Sequence, residues 1–133
     1  MRGCQLHRKV LSSRSRIRRG VEAGPKECRT EFYSAVQRRL REKHLSSRDA
    51  AAVWKQFEED ERSGLWHWLP VTESVVRRAC NAFEKLDATA FLRASDALHL
   101  ACAVENQFAA IYSADRILLE AAPNFGLKGI SVY

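Results

Sequence analysis

No stretch of this 133-residue chain approaches the ~18 consecutive apolar residues that a membrane span requires. Cysteine is sparse as well. Cys4, Cys28, Cys80 and Cys102 are scattered, and Cys80 and Cys102 fall within apolar helical patterns. They read as small buried hydrophobes in a reducing compartment, not as a disulfide framework, so a cytoplasmic location is expected. Cys4-x-x-His7 with Cys28 lacks the second close ligand pair of a structural zinc site. Acid is missing from one region in particular: no Asp occurs before Asp49.

The net charge of +6 is unevenly placed. Residues 1–30 hold nine Lys/Arg against Glu22 and Glu27, whereas residues 31–133 hold thirteen Lys/Arg against fourteen Asp/Glu. The body is close to neutral, so nucleic-acid binding cannot be argued from the high isoelectric point. Residues 1–29 show no useful apolar period, and Arg14, Arg16, Arg18 and Arg19 crowd one stretch. They are expected to form a basic leader that packs poorly against the rest. Such a composition also suits a phosphate-binding arm or an organellar transit peptide.

From Thr30 onward the periodicity is regular. Phe32, Ala35, Val36 and Leu40 form one stripe of a helix to Arg41, with Arg38, Arg39 and Arg41 facing out and Glu31 in the first turn. Ser46-x-x-Asp49 starts a second helix with Ala50, Val53, Trp54 and Phe57 as its apolar face, and Gly64 stops it. The run Glu58 to Glu61 points around that helix and reads as a solvated face, not a metal cluster. Leu65 to Val71 resembles a strand ending at Pro70. Thr72 then caps a helix that buries Val75, Val76, Ala79, Phe83 and Leu86.

The last forty residues change period three times. Ser95 and Asp96 start a helix carrying Ala97, Leu98, Leu100, Ala101, Cys102 and Val104. Ala109 to Ser113 is a short strand, Ile117 to Ala122 another helix, and Ile130 to Tyr133 a final strand. Short links between these elements imply an α/β fold with a parallel sheet. Asp96 sits at a helix start and Asp115 just past a strand, at the lip where open parallel sheets bind ligands. Each can equally be a helix cap. Asp87 reads as a turn residue, and His99 as an ordinary surface or core residue.

The segments ASDALHLACA, IYSADRILLEAA and FGLKGISV, in this order, resemble the C-terminal half of PIN domains, most closely VapC-type toxins of bacterial toxin–antitoxin pairs. Thr30 to Ala35, TEFYSA, resembles the helix that carries the family's second acidic residue. The resemblance implies a three-layer α/β/α sandwich over residues 30–133, with a short parallel sheet. A PIN domain begins with an apolar strand ending in Asp, and nothing in residues 1–29 matches it. The first strand is therefore expected to be lacking, through truncation or a frame shift upstream.

By the same resemblance, Glu31, Asp96 and Asp115 ligate Mg²⁺ or Mn²⁺, Ser113 helps order the site, and Arg116 stands near substrate phosphate. Packed carboxylates repel one another, and a hard divalent cation relieves that cost. The family cleaves RNA in this way, leaving 5′-phosphate and 3′-hydroxyl ends. The expected partners are an RNA substrate, a cognate antitoxin and a second copy of the chain, with no membrane. The antitoxin would lie against the two helices over 31–41 and 46–62, where Trp54 and Phe57 are either anchors or core. The alternative is an inactive module that binds an antitoxin or itself without cutting RNA.

Overall fold

A computed structural model of the chain describes residues 22–133. Its elements are β1 (Glu22–Pro25), α1 (Cys28–Arg41), α2 (Ser47–Arg62), β2 (Trp66–Leu69), α3 (Glu73–Lys85), α4 (Ala94–Glu105), β3 (Ala110–Ser113), α5 (Arg116–Ala121) and β4 (Lys128–Ser131). A 3-10 turn, Ala122–Phe125, links α5 to β4. The strands form two separate parallel pairs, β1 with β2 and β3 with β4. The α/β class expected from the sequence is thus the observed one. Parallel pairing needs a long crossover, and helices supply it: α1 and α2 between β1 and β2, α5 between β3 and β4.

β1 corrects the expected boundary of the leader. Glu22 pairs with Trp66 and Pro25 with Leu69, so ordered pairing begins eight residues before Thr30. A segment of Glu, Ala, Gly and Pro has little apolar side chain to advertise a strand. Its strand character comes from backbone pairing, extended by Lys26 N–H donating to the Leu69 carbonyl at 2.9 Å. Residues 1–21 of the leader, including Cys4 and His7, lie outside the described residues.

Helix α4 is the hub. Ala97, Leu100, Ala101 and Cys102 have no measurable exposure, as expected for a helix that is apolar nearly all round. One side packs on Leu69, Val75, Ala79 and Phe108; the other meets Ile111, Leu118, Ala121 and Leu127 across β3 and α5. Helix α3 buries a narrower stripe than expected. Val75 and Ala79 are inside, while Val76 and Phe83 are about two-fifths exposed, because α3 meets essentially one neighbour, α4.

Two caps follow the sequence closely. Ser46 Oγ accepts from Asp49 N–H at 3.1 Å, and Thr72 Oγ1 accepts from Val75 N–H at 3.3 Å. Beneath α1 and α2, Phe57 stacks on Phe32 with ring centroids 4.1 Å apart, Tyr33 stacks on Trp54 at 5.9 Å, and Trp66 stacks on Trp68 at 5.6 Å. Glu61 departs from the expected solvated face. It turns inward to accept from Trp68 Nε1 at 2.6 Å and to pair with Arg29 Nε at 2.7 Å. At the other end Gly126, at φ 72°, closes the 3-10 turn in the left-handed region. Strand β4 begins two residues earlier than the final strand read from the sequence, at Lys128.

Candidate active site

A cavity of about 290 Å³ opens where one side of α1 and the N-terminal part of α4 meet the end of β3. Glu31, Asp96, Ser113 and Asp115 all line it, so the four residues expected to carry chemistry share one space. Asp96 is not the cap of α4; that position is Arg93, and Asp96 lies a turn in, buried to 6 % exposure. Asp115 does cap α5, its Oδ1 accepting from Ile117 N–H at 3.0 Å. Ser113 is almost fully buried, and its Oγ accepts from Asp115 N–H at 2.9 Å. That bond fixes the turn that presents Asp115.

The carboxylates are not gathered around one point. Arg93 stands between two of them, with Nε donating to Asp96 Oδ2 and Nη2 donating to Asp115 Oδ2, both at 2.5 Å. Charge-assisted bonds of this kind are the strong ones. They hold the guanidinium pKa above its ordinary value, the Asp96 bond contributing most. Burial pushes the Asp115 carboxyl up, but the Arg93 bond and charge, with the N–H groups of Ile117 and Leu118, outweigh it. The net pKa lies below the ordinary carboxylate range.

Glu31 has a different partner. Its Oε2 is 3.4 Å from His99 Nε2, and the same nitrogen is 3.7 Å from Cys28 Sγ. His99 is therefore neither a surface residue nor apolar core: it is 5 % exposed and faces the cavity. The spacing Asp96-x-x-His99 places both on one face of α4, and Cys28-x-x-Glu31 does the same on α1. These two patterns were the available signals for His99 and Cys28. No period marks Arg93, which precedes its helix.

The cavity rim is basic. Arg38 and Arg41 on α1 line it, although the helical period alone placed them facing out. Arg116 stays outside; its Nε pairs with Glu120 at 2.9 Å on an exposed surface. Acids and exposed guanidinium groups lining one cavity suit a hard cation together with a phosphate.

A family model described as PIN domain matches residues 20–123. The chain belongs to the PIN domain family. No curated protein and no solved structure matches it. The family match starts before Thr30 and takes in β1, in agreement with the pairing of β1 and β2. PIN domains are in general metal-dependent nucleases, and Asp96, Asp115 and Glu31 bring to one cavity oxygen donors of the kind a hard divalent metal takes, with Arg93 bound between the first two. No helix among the described residues is long and apolar enough to cross a membrane.

Proposed function

We propose that this PIN domain is an endoribonuclease of the VapC toxin type, with Mg²⁺ or Mn²⁺ held by Glu31, Asp96 and Asp115. The observation that supports it best is one cavity lined by these carboxylates together with Arg38 and Arg41. A divalent cation there supplies Lewis acidity and neutralises charge on a phosphodiester. The chain's own residues do the positioning. Arg38 and Arg41 draw in the phosphate, Ser113 holds the turn of Asp115, and Arg93 compensates Asp96 and Asp115 until a cation replaces it.

We further propose that this chain is a slow enzyme. The resemblance places a further Asp at the end of a strand ahead of Glu31, and residues 1–48 contain none. A misplacement of about 1 Å at a reacting centre costs on the order of a hundredfold in rate. Purified chain should cut single-stranded RNA slowly with Mg²⁺, Asp96→Asn should abolish cutting, and a form carrying an apolar strand ending in Asp ahead of β1 should cut faster. Equal rates with and without that strand would refute the assignment of slowness to the missing acid.

The second reading, an inactive domain that binds an antitoxin or a second copy, is favoured by the same missing Asp. Absence of cleavage at any Mg²⁺ concentration, with antitoxin binding or dimerisation retained, decides for it. The proposed antitoxin seat is the face of α1 and α2, where Trp54 is half-buried against Tyr33. Trp54→Ala should weaken antitoxin binding while leaving the fold intact.

A further inference from the structure

Next to Glu31 stand two potential ligands, Cys28 and His99, that the hard-cation reading does not use. Cys28, Glu31 and His99 each present one donor atom, and the three atoms lie within 4.8 Å of one another. The Cys28 Sγ to His99 Nε2 distance is 3.7 Å, and the His99 Nε2 to Glu31 Oε2 distance is 3.4 Å. A tetrahedral ion with metal–sulfur and metal–nitrogen or –oxygen bonds of about 2.3 and 2.0–2.1 Å sets its ligand atoms roughly 3.4–3.6 Å apart. Both distances from His99 Nε2 are close to those of a coordination shell, and the third pair, Cys28 and Glu31, lies within 4.8 Å.

We propose that Cys28, His99 and Glu31 form a binding site for a thiophilic divalent cation of the zinc class, next to the Asp96–Asp115 pair and sharing Glu31 with it. Mixed sulfur, nitrogen and oxygen donors select such an ion over Mg²⁺, which prefers oxygen throughout. On binding, the Cys28 thiol proton leaves to solvent, and the thiolate and the Glu31 carboxylate together balance the two positive charges. That balance matters at a place where Cys28 and His99 are 7 % and 5 % exposed, because an isolated buried charge is costly. Both are anchored on helices, Cys28 at the start of α1 and His99 within α4. Three protein ligands would leave a fourth coordination position for water.

Cys102 serves as a contrast. It is also fully buried, but burial first, then Glu27 and Glu105, push its thiol up to about 11, and it belongs to no such cluster among the described residues. Because Glu31 is shared, an ion of the zinc class should also withdraw one carboxylate from the hard-cation site and inhibit RNA cleavage. That consequence rests on the proposed nuclease reading; the binding site does not.

The test is a Co²⁺ titration of the reduced full chain. The expected result is one equivalent bound, a near-ultraviolet thiolate-to-cobalt charge-transfer band, and loss of that band on adding Zn²⁺ but not excess Mg²⁺. The band should vanish in Cys28→Ser and in His99→Gln, and persist in Cys4→Ser, Cys80→Ser, Cys102→Ser and Asp96→Asn. A band that survives Cys28→Ser, or none in the unsubstituted chain, overturns the proposal. Should Cys28→Ser fail to fold, zinc X-ray absorption of the unsubstituted chain still decides: a sulfur neighbour supports the site, and a shell of nitrogen and oxygen alone overturns it. A cobalt band with no RNA cleavage keeps the metal site and removes only the nuclease reading.

Discussion

Arg93 and Asp115 stand 22 residues apart in the chain, yet the Arg93 Nη2 donates to Asp115 Oδ2 at 2.5 Å while Nε of the same guanidinium holds Asp96. Arg93 is a built-in cation between the two carboxylates proposed to hold metal. Its side chain is 32 % exposed, against 9 % for Asp96 and 14 % for Asp115. The guanidinium is thus the most solvent-accessible member of the trio.

Replacing it should separate stability from metal affinity. In Arg93→Gln the carboxylates lose their counter-charge, so the chain without metal is destabilised by about 1.5–3 kcal/mol, the worth of hydrogen bonds to charged groups. A divalent cation then meets no competitor. Isothermal titration with Mn²⁺ should show tighter binding than in the unsubstituted chain, and Mn²⁺ should raise the Tm of the variant by more. Equal or weaker Mn²⁺ binding would show that Arg93 does not occupy the cation's place.

Acid should weaken the fold partly through Asp115. Its folded pKa lies below the unfolded value of about 3.9, so folding favours the anion. The resulting stabilisation is complete above the unfolded pKa, by about pH 5, and is lost as pH falls through the depressed folded value. Unfolding free energy measured from pH 6 down to 3 should fall more steeply for the unsubstituted chain than for Asp115→Asn. Parallel curves would mean that the Arg93 bond does not favour the charged form.

Gly129 lies under α5, where a Cβ would sit 2.8 Å from the Leu119 carbonyl oxygen and 3.2 Å from its Cα. Backbone cannot swing away as a side-chain tip can. Gly129→Ala should force α5 off β4 and cost on the order of 1–3 kcal/mol, the usual range for overpacking. Asp115 caps α5, so the same substitution should also weaken Mn²⁺ binding. A Tm unchanged within error would show that α5 and β4 are more loosely packed than these distances indicate.

Phe57 is core, not an anchor for a partner. It is 6 % exposed, stacked on Phe32 and in ring contact with Tyr33, Trp66 and Trp68. Phe57→Ala should destabilise the fold by about 3–5 kcal/mol. Denaturant unfolding of Phe57→Ala beside Trp54→Ala should show the larger loss for Phe57. The reverse order would reassign the two residues.

The chain order of helices and strands from Thr30 onward follows from local chemistry alone. Ser46 and Thr72 are short hydroxyl side chains before helical runs, Ala109 to Ser113 is strand-length and apolar, and Ala97 to Cys102 is too apolar to face water. Glu31, Asp96, Asp115 and Ser113 stand out in the sequence through motifs resembling PIN domains, and the structure brings all four to one cavity. Other features depended on packing. β1 is a strand because its backbone finds β2, which no property of Glu-Ala-Gly-Pro announces. Phe83 and Val76 repeat at helical spacing yet stay exposed, because periodicity marks a face but not whether a neighbour covers it. The same limit governs the site: a guanidinium before α4 and a thiol at the start of α1 acquire roles only through what lies opposite them. Arg93 between Asp96 and Asp115, and Cys28 beside His99 and Glu31, are contacts between elements far apart in the chain, and only the tertiary structure decides such distances.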